Sequence, residues 1–282
     1  MKLISTLLLA FITITTFAQK EFQGKATYMS KTTMDMSRFG DQISEQRKKQ
    51  IMARAKSFLE KTYTLSFNKT VSAFKENAKL EAPGSTNGRR FGRGNGQGSV
   101  YKNSKDKILI EDVEQFSKRF LITENMEPLQ WELGTETKKI GNYTCYKATL
   151  VKEDTNIDFA SIFGRRGRGN DQKKDSTKTK EKKNEKKMLF VTAWYAPQIP
   201  VSTGPDKYYG LPGLILELNA GRTTMLCTEI IINPTDAIEI KKPTKGKEVS
   251  RNEYNEIIKT KTEELKERFK NRGNRGEGRR RF

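Results

Sequence analysis

The chain has 282 residues, of which 34% are hydrophobic and 31% are charged, and its formal net charge is +20. This apolar fraction is low for one compact domain of that length, which indicates that part of the chain stays outside a folded core. Histidine is absent, and this excludes the commonest general base, the commonest zinc ligand and the histidine-dependent nucleophile triads. We therefore predict a protein that is not an enzyme, without catalytic residues, metal or cofactor.

Residues 1–18 have the pattern of a signal peptide. Lys2 precedes an apolar run from Leu3 to Phe17, and Thr16-Phe17-Ala18 places small residues at its first and third positions. The run is too short for a membrane span of about 20 residues. We predict cleavage after Ala18 and an exported protein, periplasmic or associated with the outer membrane, with no transmembrane span. The residue directly after this site is Gln19 and not a cysteine, which argues against a lipid anchor.

Most of the positive charge lies in three low-complexity segments. Gly88–Gly98 carries +3, Gly164–Lys187 carries +7 and Lys266–Phe282 carries +6, together +16 of the +20. Such segments bury too little apolar surface to fold, so we predict disordered insertions at 81–98 and 163–187 and a disordered tail at 271–282 around a single domain over 19–270. The predicted basic surface consists of Arg89, Arg90, Arg93, Arg165, Arg166, Arg168, Arg279, Arg280 and Arg281.

These arginines suggest an anionic partner, because arginine makes salt-sensitive contacts with phosphate and other anions. For an exported protein, an anionic polysaccharide, a lipid phosphate or an acidic protein surface is a better partner than nucleic acid. The alternative, that the segments only keep the protein soluble, remains open.

The first half of the chain alternates between strand and helix periodicity. Phe22–Met34 predicts a strand, and helical spacing of apolar residues over 41–59 predicts an amphipathic helix. Strict alternation over Thr62–Phe67 then predicts a strand that pairs with Val71–Glu76 across Asn68-Lys69. The remaining predicted strands are short and follow at Lys107–Val113, Lys118–Thr123, Leu129–Leu133, Tyr143–Val151, Met188–Tyr195, Leu214–Leu218, Thr223–Ile232 and Ala237–Ile240.

Strands that arrive about every ten residues without helices between them are typical of an antiparallel sheet. A closing helix is predicted from Ser250, which has capping-box spacing to Glu253, with an apolar stripe of Tyr254, Ile257, Ile258, Leu265 and Phe269. We therefore predict an α+β fold with a curved antiparallel sheet of about nine to eleven strands and two helices. This outline is similar to the half-barrel of periplasmic lipoprotein carriers.

The most particular stretch is Trp194–Leu218, which holds four of the eight prolines and three glycines. Within it, Gly210, Leu211, Pro212, Gly213, Leu214 and Ile215 predict a type II turn, since proline presets φ and glycine accepts the positive φ that follows. This hexapeptide resembles the signature of the GLPGLI family of exported Bacteroidetes-type proteins. Ile140–Ala148 and Thr192–Leu218 extend the resemblance. The family has no established biochemical activity, so the resemblance implies a compartment and an architecture but no reaction.

Aromatic residues around the signature are the candidates for a ligand pocket. Trp194, Tyr195, Tyr208 and Tyr209 would line its mouth, with Leu211 and Leu214 behind them. The competing interpretation is that these side chains only pack an irregular loop against the sheet. The leading hypothesis is a cell-envelope module that binds an apolar ligand or an outer-membrane protein partner; the alternative is a structural protein that binds anionic polymers through its basic segments.

Two further sets of residues leave alternatives open. Cys145 and Cys227 lie in predicted strands and form either a disulfide or two buried thiols. The acidic pairs Glu111-Asp112 and Glu153-Asp154 are predicted to be solvated, because neighbouring strand residues point to opposite faces. Asp206 is predicted in a turn and Glu217 on the solvated face of its strand.

Overall fold

The computed structural model describes residues 22–34, 44–78, 98–153 and 188–277, without the side chains at positions 54, 57, 58, 266 and 269–277. The two helices in these ranges are α1, Glu45–Leu59, and α2, Arg251–Glu277. The strands are β1 Gln23–Thr32, β2 Glu60–Asn68, β3 Val71–Glu76, β4 Ser99–Asn103, β5 Ile108–Gln115, β6 Lys118–Asn125, β7 Glu132–Ile140, β8 Tyr143–Glu153, β9 Met188–Ala196, β10 Leu214–Ala220, β11 Thr223–Ile232 and β12 Lys247–Val249.

All the described strands join one open sheet. Its order is β12-β6-β5-β4-β3-β2-β1-β11-β10-β9-β8-β7, so β12 and β7 form the two edges. Neighbouring strands are antiparallel except β12, which runs parallel to β6. The β1 strand pairs with both β2 and β11 and therefore joins the beginning of the described chain to its last hairpin. The predicted sheet-rich α+β class is confirmed, with twelve strands rather than nine to eleven.

Several predicted boundaries agree closely with the structure. The β3 and β11 ranges are as predicted, and the hairpin between β10 and β11 turns at Gly221-Arg222. In the capping box of α2, the Glu253 amide donates to Ser250 Oγ at 3.3 Å and the Ser250 amide donates to Glu253 Oε2 at 2.8 Å. These features are local, and local spacing in the sequence specifies them.

Other predicted elements differ from the structure. Ala237–Ile240 forms no strand: the Ile238 amide donates to the Gln23 side chain, and Ile240 packs on a cluster around Tyr101 and Ile110. The alternation of apolar and polar residues in this segment arises because single apolar side chains pack on the sheet. The strand expected at Leu129–Leu133 begins instead at Glu132 and forms an edge of the sheet. Most of its side chains are exposed, so buried and exposed residues do not alternate along it. The β4 and β12 strands were not predicted.

Several predictions lie outside the described residues. These are the signal peptide, residues 81–97 and 163–187 of the insertions, residues 278–282 of the tail, the nine arginines of the predicted basic surface and the side chain of Phe269. Helix α2 continues to Glu277, past the predicted start of the tail at Asn271. Among the described residues, no helix has the length and the apolar character needed to cross a membrane.

The core lies on one face of the central strands, beneath residues 197–213, which we call the 197–213 connection and which join β9 to β10. Alternate residues of β1 and β2 supply Ala26, Tyr28, Leu65 and Phe67, which have no exposed surface. From above, Ile199 and Val201 of the connection join the same cluster. The alternation of these strands therefore directs one face toward the connection.

Cys145 and Cys227 are both buried free thiols. They lie on β8 and β11, which are separated by β9 and β10, so the expected meeting on adjacent strands does not occur. Both nevertheless belong to the main core cluster. Burial raises the pKa of Cys145 to about 11 and that of Cys227 to about 12, which keeps both as unreactive thiols at neutral pH.

We expect neither thiol of the folded protein to react with Ellman's reagent at pH 8, because both are protonated and shielded. After denaturation without reductant, two thiols should titrate. A Lys75→Cys variant, whose new thiol replaces an exposed side chain on β3, should react at once in the folded state. No titratable thiol in the denatured wild type would contradict the free-thiol assignment.

The capping box of α2 gives a second stability prediction. Ser250→Ala removes the hydroxyl that accepts from Glu253, and the free energy of unfolding should fall by about 1 kcal/mol, the usual cost of losing a serine N-cap. Urea denaturation measures this loss. Asn252→Ala, an exposed change in the same turn, should alter the urea midpoint much less; equal midpoints for the two variants would contradict a capping role.

Candidate functional site

The signature turn is shaped by a close backbone contact. A Cβ built on Gly213 would lie 2.3 Å from Ala196 O and 2.8 Å from Pro197 N. The Leu214 amide donates to Ile199 O at 3.1 Å rather than to Leu211, as a type II turn would require, and the φ of Gly213 is 158°. The predicted turn type is therefore wrong, and glycine is required at 213 because another part of the backbone occupies the Cβ position.

Lys102 holds the middle of the connection. Its Nζ donates to Gly204 O at 2.6 Å, Asp206 O at 2.8 Å and Tyr208 O at 3.1 Å, and the residue is 2% exposed. Three carbonyl acceptors match the three donors of an ammonium group. Burial lowers the pKa of Lys102 to about 7, while the nearby Asp206 opposes this shift.

Two other polar contacts hold the connection to the sheet, and a third lies just beyond it. Ser72 Oγ lies 2.8 Å from Thr203 Oγ1, and Tyr28 Oη on β1 donates to Ile215 O on β10 at 2.7 Å. Lys207 forms an ion pair with Glu111 at 2.6 Å. Each contact is part-buried or buried, so the connection is held as a fixed part of the structure.

Glu111 also joins the connection to α2. Arg251, the first residue of that helix, pairs with Glu111 and with Glu124, the second contact at 2.6 Å. Burial lowers the pKa of Arg251 from its ordinary value, but two carboxylates beside it favour the charged form. The ion pairs thus link the 197–213 connection, β5, β6 and α2.

The predicted solvation of Glu111 and Asp112 is wrong. Glu111 is 7% exposed and Asp112 is 4% exposed. They do point to opposite faces, as alternation requires: Asp112 forms a bidentate pair with Arg119, whereas Glu111 meets Arg251 and Lys207. Each carboxylate is buried because a cation accompanies it. Asp154 lies outside the described residues.

The remaining acidic candidates are structural. Asp206 has a φ of 51° in the turn after Pro205, as predicted. Glu217 pairs with Lys138 at 2.6 Å, and its side chain is 17% exposed. It is therefore less exposed to solvent than predicted. Neither residue has a second acidic or nucleophilic partner among the contacts described.

Most of the predicted pocket residues are buried. Tyr195, Tyr208, Leu211 and Leu214 each have 6% exposure or less. Tyr195, Tyr208 and Leu211 pack together in one cluster, whereas Leu214 belongs to the main core. These four side chains fill space between the connection and the sheet.

Trp194 and Tyr209 are partly buried and differ from those four. Trp194 lies opposite Lys147 and Glu217 in the pairing of β9, and Lys138 Nζ lies 4.4 Å from its ring centroid. Tyr209 Oη donates to Glu127 O at 2.6 Å, and Trp131 Nε1 donates to Tyr209 O at 2.8 Å. Of the six pocket candidates, only Tyr209 lines an open cleft.

This cleft has a volume of about 600 Å³. It is lined by the segment between β6 and β7, with Glu127 and Gln130, and by the start of α2, with Arg251 and Asn252. Residues at the end of β8 and Tyr209 complete it. Its lining mixes charged, amide and apolar groups, and no group of histidine, cysteine or carboxylate ligands suited to a metal occurs among the described residues.

A second cavity lies between the connection and β3–β4, beside Lys102 and Ser72. Its volume is about 20 Å³, which is enough for about one water molecule. Behind the signature turn, Leu211, Leu214 and Ile215 are packed, each with 1% exposure or less. The open space lies at the cleft.

The fold and the cleft define a sheet-rich α+β protein with a long connection packed across its sheet. Residues 131–217, which include the signature turn, match the sequence model of a family described as "Protein of unknown function (Porph_ging)". No curated protein matches the chain.

Two solved structures of PNGF-II, in the P21 and C2 space groups, are similar to the chain at 13% and 12% identity with TM-scores of 0.45 and 0.46. The alignments cover 84% of this chain but 33% and 32% of those chains. The chain thus spans about a third of their length.

Sequence reasoning missed the residues that organise the site. Lys102 sits in a short, unpredicted strand, and a single lysine between Tyr101 and Asn103 carries no sign of burial. The link from Glu111 to Arg251 spans 140 positions, so spacing does not reveal it. For Glu111, which lies in a predicted strand, a charged residue at an inward position was the one available signal.

Proposed function

We propose that the chain is a non-catalytic binding module of the cell envelope, and that a protein partner binds at the cleft beside α2. The observation that carries this proposal is the contrast between the packed interior behind the signature turn and the open cleft. Mixed polar and apolar walls are typical of surfaces that bind proteins. An apolar ligand would need an apolar cavity, and the side chains predicted to line one, Tyr195, Tyr208, Leu211 and Leu214, are packed with 6% exposure or less.

Two contacts to Tyr208 from distant strands support a curved, half-barrel sheet as part of this proposal. Tyr208 O accepts from Lys102 on β4, and Lys152 on β8 places its Nζ 4.4 Å from the Tyr208 ring centroid. These strands are seven places apart in the sheet, which is about 34 Å in a flat sheet. One tyrosine and two lysine side chains do not bridge that distance, so curvature toward the connection accounts for both contacts.

The family and the compartment belong to the proposal as well. The GLPGLI signature lies inside the segment that matches the family of unknown function, and this overlap supports the GLPGLI label. The signal-peptide pattern of residues 1–18 supports export to the periplasm or the outer membrane.

A photo-crosslinking experiment tests the cleft. A photoreactive amino acid at Gln130, which is exposed in the cleft, should give a discrete crosslinked product with envelope proteins, and excess unlabelled protein should suppress it. The same group at Lys75, an exposed position on β3 away from the cleft, should give no such product. Equal products at both positions would contradict a binding site at the cleft.

Native mass spectrometry of protein purified from its own envelope distinguishes the apolar-ligand alternative. The proposal expects no bound lipid in the wild type. A stoichiometric lipid, released on denaturation, would favour the carrier function over partner binding.

A second candidate function rests on the charge distribution, since three segments hold +16 of the +20. These segments would bind an anionic polymer or surface by salt-sensitive contacts. Deletion of residues 164–187 and 271–282 should then abolish envelope association, which should also weaken in high salt. Association that survives both treatments would leave the cleft as the binding element.

A further inference from the structure

Strand β7 forms one edge of the sheet, and no described strand lies on its outer side. It pairs with β8 alone among the described strands, and none of the described turn or loop hydrogen bonds reaches residues 132–140. Seven of its nine side chains are exposed and none is buried, whereas β12, at the other edge, has three residues. A long edge strand offers its free amide and carbonyl groups to a further strand. The outer side of β7 is therefore the longer of the two open hydrogen-bonding edges that the described strands form.

The charges of β7 are divided between its two ends. Glu132 and Glu136 lie in its first five residues, and Lys138 and Lys139 lie near its end. Directly opposite charges of unlike sign stabilise a pair of strands, and like charges destabilise it. An antiparallel neighbour therefore fits if it is basic opposite the first half of β7 and acidic opposite the second half. Strand β7 itself, read in reverse, has this order, so a second copy of the chain is a charge-complementary neighbour.

The pairing of β7 with β8 selects a register for this neighbour. Glu132 and Lys138 lie opposite positions 149 and 145 of β8, and Leu133 and Thr137 lie opposite positions 148 and 146. Because side chains alternate along a strand, the first two share one face of the sheet and the second two share the other. Directly opposite residues of antiparallel strands lie on the same face. A two-fold axis at Thr135 meets this condition, since it sets Glu132 opposite Lys138 of the second copy and Leu133 opposite Thr137.

Neighbouring registers are less favourable. An axis at Gly134 would set Glu132 opposite Glu136, and an axis at Glu136 would set that carboxylate opposite its own copy, so both oppose like charges. The axis at Thr135 places the irregular part of β7, between Leu133 and Thr137, next to itself and leaves both regular ends to pair. It also covers part of Leu133, which is 61% exposed.

We propose that two copies of the chain pair through β7, antiparallel about Thr135, so that the sheet of one copy continues into the sheet of the other. Lys138 already donates to Glu217, but an ammonium group has three donors and can also meet Glu132 of the second copy. Nine residues on each side are fewer than the roughly 20–30 of a standard stable interface, so the dimer should dissociate on dilution. No residue of β7 lines the cleft, and this contact is separate from the proposed partner site.

Sedimentation velocity of the full chain tests the pairing. The wild type should show a reversible monomer–dimer equilibrium that shifts toward the dimer as its concentration rises. Glu132→Lys should raise the dissociation constant by about tenfold, because two symmetric contacts with Lys138 become like-charged. Glu114→Lys makes the same change in charge at an exposed residue of β5 and should dimerise like the wild type. A wild type that stays monomeric at every concentration, or equal dissociation constants for the two variants, would overturn the proposal.

Thiol trapping tests the register. Both native cysteines are buried, so a thiol introduced on β7 is the accessible one. With copper phenanthroline as the oxidant, Thr135→Cys should give a disulfide-linked dimer, because the two copies of residue 135 meet at the axis. Lys139→Cys is the matched control on the same exposed strand, and its two thiols would lie about 26 Å apart, too far for a disulfide. Linking of Lys139→Cys, or no linking of Thr135→Cys, would contradict the proposed pairing.

Discussion

Replacing Gly213 by alanine is expected to lower the free energy of unfolding by about 3 kcal/mol, the upper end of the usual cost of overpacking. The added Cβ would lie 2.3 Å from Ala196 O and 2.6 Å from the carbonyl carbon. These are backbone atoms, and Ala196 is held by its pairing with Leu214. Neither side of the contact can move without breaking the register of β9 with β10. Chemical denaturation followed by circular dichroism measures the loss.

Gly134→Ala is the matched control for this change. A Cβ at Gly134, in the exposed edge strand β7, would lie 3.4 Å from its nearest neighbour, Lys147 O. This is an ordinary van der Waals distance, so the variant should differ from the wild type by less than about 1 kcal/mol. Gly213→Ala with the stability of Gly134→Ala would contradict the contact described for the signature turn.

The double variant Pro212→Ala, Gly213→Val tests whether the signature turn stabilises the fold or contacts the partner directly. If the signature is a packing element, this variant should lose stability before it loses binding at the cleft. A variant of normal stability that no longer forms the Gln130 crosslink would show that the signature contacts the partner directly.

Lys102→Met is expected to destabilise the protein at pH 6 by about 2 kcal/mol, because three carbonyl oxygens of the connection lose their donor. The loss should grow as the pH rises from about 7 toward 10. The pKa of Lys102 is about 7 when folded and 10.5 as an ordinary lysine. In that window the unfolded chain binds one more proton than the folded chain, so the wild type gains stability with rising pH through this group. The variant lacks that gain.

Urea denaturation of both proteins at pH 6, 8 and 9.5 separates this effect from other titrating groups, which the two proteins share. Lys75→Met, a change at an exposed lysine of the neighbouring strand β3, is the control and should shift the free energy of unfolding slightly and equally at each pH. Parallel pH curves for wild type and Lys102→Met would contradict the lowered pKa.

Features that depend on neighbouring residues in the chain were predictable. The alternation of β2 and β3, the β10–β11 hairpin and the capping box all follow from spacings of a few residues, and each is present. By contrast, Ala237–Ile240 has strand alternation without a partner strand, since Ile240 finds its packing on the sheet instead. Local pattern predicts which side of a segment is buried more reliably than it predicts what buries it.

The stretch predicted to line a pocket and the cleft of the structure share only Tyr209. The aromatic residues of Trp194–Leu218 suggested a pocket, and four of the six candidates are buried instead. The charged residues that hold the connection find their partners far along the chain. Lys102 donates to carbonyl groups 102 to 106 positions away, and Glu111 pairs with Arg251 140 positions away. Only these contacts in space show that each charge is compensated.

The amino-acid sequence by itself determined the sheet-rich class, the low apolar content, the segregation of positive charge and the irregular signature stretch, because these depend on composition and short spacings. The tertiary structure decided the order of the twelve strands, the burial of Lys102 and Glu111, and the backbone contact that requires glycine at 213. Those features depend on groups far apart in the chain. Whether a strand position or a charged side chain is stable when buried depends on the partner that it contacts in the folded protein.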